Sequence, residues 1–99
     1  MIHYEVTLEC SASTAPALER WMRNTHIPRM LETGCFAAIH FDRAEGRFRT
    51  VYQAANQEQF DRYLKEHADR LRTEFRERFA EGVGVSREVW EQLQSWAPM

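Results

Sequence analysis

The residues most able to do chemistry sit in three places. His3 and Glu5 lie two apart near the start, in Ile2-His-Tyr-Glu-Val-Thr7, and His40 follows in Ala38-Ile-His-Phe41. On an extended strand, residues i and i+2 share a face. His3 and Glu5 can therefore share one proton or one ligand, with His40 beside them if its strand lies near. An imidazole paired with a carboxylate suits general acid–base work: His3 or His40 as the base, Glu5 as the group that orients it. The second place is His26-Ile27-Pro28, where the imidazole either pins a helix break or exchanges protons. The third is Tyr63 with His67 one helical turn later, a donor–base pair or two packed core groups.

Metal binding and thiol chemistry draw less support. The four histidines and two cysteines include no HExxH, HxxxH or CxxC spacing. His3, Glu5 and His40 would give an N/N/O set only if the strand order gathered them, so no metal or other cofactor is expected. Cys35 follows a helix end whose dipole raises a thiol pKa, which favours packing over nucleophilic use. Trp21 and Trp90 read as core or interface fillers, or as the floor of a pocket for an aromatic ligand.

Alternation places these groups. Residues 2–9 alternate Ile2, Tyr4, Val6, Leu8 with His3, Glu5, Thr7, Glu9, a half-buried strand. A helix is expected over 14–24 and a further turn or two over 26–32, interrupted because Pro28 disfavours helical geometry at Ile27. Gly34 is the expected C-terminal stop. Strands follow over 35–43 and 47–55, joined by a short connection with Gly46 at the positive-φ position. Residues 57–79 contain no Gly or Pro and read as a helical region with Phe60, Leu64, Leu71, Phe75 and Phe79 inward. A last strand runs over about 85–94. The order β-α-β-β-α-β predicts one ferredoxin-like α+β domain over residues 1–99, its helices covering one face of an antiparallel sheet. Because Ile2, Tyr4, Val6 and Leu8 claim that face, His3, Glu5 and His40 should share the other, with Arg49 and Gln53. Trp90 fits either side.

Composition narrows the partners. The chain has 99 residues, 43% of them apolar, and a formal charge of −2 from 13 basic and 15 acidic groups. No global positive field draws nucleic acid, and no apolar run approaches a membrane span. Lys65 is the sole lysine; the arginines of the second half alternate with glutamates, and Glu58/Arg62, Glu66/Arg70 and Glu74/Arg78 are spaced for ion pairs along a solvated helix face. The N-terminus lacks the pattern of a secretory leader, so a cytoplasmic location with reduced Cys10 and Cys35 is expected. A domain this short buries little of its own surface, and association with a second copy would relieve that.

Several blocks carry a resemblance: Ile2-His-Tyr4-Glu-Val6-Thr, Trp21-Met22 with His26-Ile27-Pro28, Thr33-Gly34-Cys35-Phe36, and Tyr63-Leu64-x-Glu66-His67-Ala68-x-Arg70-Leu71. Together they resemble a small bacterial family, a domain of unknown function within the dimeric α+β barrel superfamily. That family often has Pro where this chain has Asp69. The resemblance implies a homodimer whose two sheets face each other around a cavity. The superfamily also holds cofactor-independent monooxygenases, muconolactone isomerases, polyketide cyclases, aldoxime dehydratases and haem-degrading enzymes, so fold does not choose the chemistry. The His-x-Pro is similar to a branch linked to ether degradation, and Tyr63…His67 to cyclase-type members. Two expectations follow: a homodimeric small-molecule-binding protein acting by proton transfer in an isomerase, cyclase or monooxygenase type of reaction, or a non-catalytic binding or interaction module.

Overall fold

The computed structural model describes residues 1–98. Its strands are β1 (Ile2–Cys10), β2 (Ala38–Ala44), β3 (Arg47–Ala54) and β4 (Val83–Glu91). They form one antiparallel sheet in the order β2-β3-β1-β4. The helices are α1 (Ala15–Trp21), a π-helical turn (Met22–His26), α2 (Ile27–Glu32), α3 (Gln57–Glu66) and α4 (Ala68–Arg78). This is the ferredoxin-like α+β arrangement. None of the helices is long and apolar enough to cross a membrane, among the described residues.

Alternation sorts the sheet as expected. Ile2, Tyr4 and Leu8 of β1 and Phe48, Thr50, Tyr52 and Ala54 of β3 are buried beneath the helices. They pack in two clusters, one around Met30, Phe60, Tyr63 and Leu71 and one around Leu18, Met22 and Phe75, with half-buried Val6 touching both. The outermost strand differs. Register puts Val85, Arg87 and Val89 of β4 on the helix side, opposite Leu8, Val6 and Tyr4, yet all three are exposed.

Several boundaries depart from the sequence reading. Pro28 does not break the helix: Ile27 keeps α geometry at φ −62° and ψ −45°, and its N–H reaches back to Met22 O. The wider π-turn relieves the clash a proline ring makes with the carbonyl four residues before it. Conversely, the Gly- and Pro-free stretch 57–79 does break, at His67 (φ −130°, ψ −30°). There His67 N–H donates to Tyr63 O at 2.9 Å while its own carbonyl accepts from Leu71 N–H at 3.2 Å, so one residue ends α3 and begins α4. Asp69, in the first turn of α4, complements that helix's N-terminal dipole. β2 starts at Ala38 rather than residue 35, because Cys35 and Phe36 are spent filling the core behind the Thr33-Gly34 turn. Gly34, at φ +73°, stops α2 as expected. β4 begins at Val83, earlier than residue 85, and ends at Glu91.

The expected ion pairs along α3 and α4 do not form among the described residues. Glu74 instead pairs with Arg29 of α2 at 2.8 Å, and Arg62 donates to Gly34 O at 3.0 Å. The first contact fastens α4 to α2, and the second fastens α3 to the turn that follows α2.

Candidate functional site

The π-turn sets the site. π-turns concentrate at functional positions because the extra residue re-aims a side chain. Here the turn ends at His26, which is 9% exposed and forms no cap hydrogen bond; its Nδ1 is buried without a partner. The ring stacks on Trp21 at 5.2 Å and 22° and meets Phe75 edge-on at 6.0 Å. Burial holds its pKa down at about 4, with Arg29 pushing the same way and Glu74 opposing. His26 is therefore neutral at pH 7, with one ring nitrogen a donor and the other an acceptor. Of the two roles its position suggested, pinning a helix break through a hydrogen bond is not what the structure shows.

His26 faces a narrow slot between sheet and helices, with a volume of about 30 Å³, enough for one or two waters. Tyr4, Val6 and Tyr52 form its floor, and Met22, Met30, Tyr63 and Phe75 its roof. Toward β4 the slot meets solvent between Val85, Arg87 and Arg72. Arg72 donates to Tyr4 Oη at 3.2 Å, and its Nε is buried without a partner. Because Tyr4 Oη accepts there, its own hydrogen stays free to donate. Burial also pushes the Tyr52 and Tyr63 phenols well above their ordinary range, so both stay protonated donors. The slot thus combines apolar walls, a neutral imidazole, phenolic donors and two guanidiniums.

His3, Glu5 and His40 share the opposite face of the sheet, as alternation required. His3 lies between Gln53 and Trp90 in register, which also puts Trp90 on this face. Glu5 and His40 both flank Val51, in one cross-strand row. Their backbones are two strand spacings apart, about 10 Å, so no direct hydrogen bond joins them. His40 is exposed, Glu5 half-buried, and His3 Nε2 buried without a partner. Next to Glu5 and Thr7, Arg49 pairs with Asp42 at 2.9 Å. No group of three or more metal-ligating side chains occurs among the described residues.

Tyr63 reaches the slot, but His67 does not. His67 Nδ1 lies 3.4 Å from Arg70 and its Nε2 3.8 Å from Glu66, on the outer side of the helix joint. The donor–base pair anticipated from their spacing is therefore divided. Cys35 is 2% exposed, with Sγ donating to Thr33 O at 3.7 Å, as a packed thiol would.

Sequence reasoning did not single out Arg72 and Arg87, although each left a trace. Arg87 interrupts the alternation Val85-x-Arg87-x-Val89 on what should be the covered face. Arg72 stands four residues after Ala68 and three before Phe75, on the inward stripe of α4.

Solved structures confirm the fold. A candidate antibiotic biosynthesis monooxygenase from Deinococcus radiodurans superposes with a TM-score of 0.74 at 15% identity, covering 100% of this chain and 99% of its own. The haem-degrading protein MhuD of Mycobacterium tuberculosis, solved with two haems in its active site, gives 0.70 at 16% identity over 98% of this chain and 100% of its own. A dimeric ferredoxin-like protein from an uncultured marine organism gives 0.63 at 9% identity over 99% and 100%. No protein of curated function matches. The sequence itself matches DUF4286, a domain of unknown function, over residues 1–93, and the chain belongs to that family.

Proposed function

We propose that this protein binds a small organic molecule in the slot between sheet and helices, works as a homodimer, and moves a proton on its ligand through His26. One observation carries the reading: a buried neutral imidazole with an unpartnered nitrogen faces a slot that also presents phenolic donors and guanidiniums. Buried polar atoms are normally satisfied, so an unpaired nitrogen beside a slot calls for a partner there, a water or a ligand. In the reaction, His26 Nδ1 takes the proton from an acidic C–H or O–H of the ligand. The electron pair stays on the ligand as an enolate or phenolate, which Arg72, Arg87 and the Tyr4 hydroxyl stabilise. Proton removal of this kind opens isomerisation, cyclisation and cofactor-independent oxygenation alike. The fold relatives include a candidate monooxygenase and a haem-degrading protein, which supports an organic ligand without naming it.

The dimer rests on two supports: one structural relative is a dimeric ferredoxin-like protein, and exposed apolar groups gather late in the chain. Val89 and Trp90 are 53% and 54% exposed, and Leu93 and Trp96 beyond β4 are 89% and 80% exposed. In this reading the face bearing His3, Glu5 and His40 turns toward the partner, where His3 Nε2 gains the hydrogen bond it lacks within one chain. The same exposed groups favour a second reading, a non-catalytic module whose interface is its main feature.

Both readings meet one test. Histidine side-chain nitrogens are followed by ¹⁵N NMR while neutral aromatic ketones, phenols and aromatic acids are added, with light scattering to report the mass. The proposal expects His26 to shift with at least one probe in a particle of twice the chain's 11.8 kDa. Shifts confined to His3 or His40 would move the site to the outer face. A dimer whose histidines ignore every probe would establish the interaction module instead.

A further inference from the structure

The charge balance of the slot specifies its ligand more closely. Arg72 and Arg87 are the charged side chains that line it; no carboxylate does, among the described residues. Neither arginine takes part in an ion pair there, and the nearby Glu74 is already engaged by Arg29 at 2.8 Å. Arg87 is exposed and Arg72 half-buried, so both guanidiniums stand at the mouth of the slot, where an anion can pair with them. Arg72 makes one neutral hydrogen bond, to Tyr4, and leaves its Nε buried and unmatched. Arg87 sits opposite Val6 on the helix side of β4 and has no hydrogen-bond partner among the described side chains. Much of the remaining wall is aromatic rings and thioethers, Tyr4, Tyr63, Phe75, Met22 and Met30, with the aliphatic Val6, Leu8 and Val85 beside them.

Resting on the slot reading above, we infer that the ligand is a planar aromatic acid. Its ring lies among Tyr4, Tyr63 and Phe75 beside His26, and its carboxylate is held by Arg72 and Arg87. Guanidinium and carboxylate match in fork geometry, and the pairing is strongest where water is excluded. The resting volume of about 30 Å³ does not hold such a ring. The wall toward β4, however, consists of exposed Val85 and Arg87, which no helix covers. A ring enters only when Val85 and Arg87 turn aside and the rings behind them shift apart, since Tyr4 and Tyr63 already pack with centroids 5.9 Å apart.

The test compares 2-naphthoate with 2-naphthamide, equal in shape and different in charge, by calorimetry on the whole chain with the His26 ¹⁵N signal recorded in parallel. The acid should bind at least about tenfold more tightly than the amide, as a charge-assisted pair requires. That preference should vanish in Arg87→Gln, whose exposed position leaves folding intact, and survive Arg49→Gln on the outer face. Equal binding of acid and amide with a His26 shift would overturn this inference while leaving the slot in place. Binding that Arg49→Gln abolishes and Arg87→Gln spares would overturn both. Failure of both probes at about 1 mM, while a neutral ketone or phenol still moves His26, would reject the aromatic acid and keep the site.

Discussion

The two faces of the sheet treat polar groups in opposite ways. Beneath the helices they are few and enclosed, and His26 Nδ1 and Arg72 Nε are left without partners; among the described residues, His3 Nε2 is the one buried, unpartnered imidazole nitrogen on the other face. On the outer face they are many and solvated or paired, as with His40, Glu88 and the Asp42–Arg49 bridge. Placing an imidazole on one face or the other therefore decides its chemistry. On the outer face water or a partner subunit can meet its needs. Under the helices only a ligand or a water in the slot can. The difference teaches that in this fold the polar face is the ordinary one, and the scarce polar atoms of the apolar face carry the information.

Adjacent residues of β1 test that contrast most severely. Leu8 is 2% exposed on the covered face, and Leu8→Ala should cost about 4 kcal/mol. Thr7→Ala, one residue away on the other face, should cost less than about 1 kcal/mol. Urea denaturation of the two variants measures both, and similar losses would mean that the outer face is also a packed core.

Acid is the next probe. His26 has a folded-state pKa near 4 against an ordinary value of 6.5. Between those values the unfolded chain binds the proton more readily, so stability is full above pH 6.5 and falls as the pH drops toward 4. The loss should be on the order of 2–3 kcal/mol. In His26→Gln that component of the pH slope should disappear. Arg29 and Glu74 remain as the charged groups beside the site. An unchanged slope would show that the ring reaches solvent.

Smaller effects complete the series. Tyr4→Phe removes the acceptor of the 3.2 Å bond from Arg72 and should destabilise by about 1 kcal/mol, read from the thermal midpoint. Across the sheet, the Asp42–Arg49 pair joins side chains that are 49% and 54% exposed. A double-mutant cycle there should return about 0.5 kcal/mol, and less in 1 M salt. A coupling larger than that of Arg72 with Tyr4 would reverse the comparison between the faces.

Most of the fold was legible because it rests on local rules. Strict alternation in β1 fixed which side chains lie under the helices, and Gly34 and Gly46 marked their turns. Rules tied to single residues failed where tertiary packing overrode them. Pro28 was accommodated by a wider turn, while the helix broke at His67 without proline or glycine. Sequence alone placed His3, Glu5 and His40 on a shared face, since alternation is sufficient for that. The slot was not legible, because it needs α4 and β4 brought together from residues 72 and 87, and no local pattern states that distance. Arg87 was the exception, an ion standing where an aliphatic side chain was due.

The π-turn has a consequence for angular phase. Leu18, Met22, His26 and Met30 are spaced by fours and are all buried, at 0%, 1%, 9% and 1% exposed. In a uniform α-helix each step of four overshoots a full turn by about 40°, so the last of these would be rotated by about 120° from the first. The wider turn at Met22–His26 takes back part of that drift and holds the four side chains in file along the sheet. Winding the same residues as ordinary α-helix would swing Met30 out of line, whereas removing a single residue from the turn would return it to within about 20° of Leu18. A chain wound as α-helix with every residue kept would preserve its helix content and still lose both the packing of α2 and the alignment of His26 with the slot.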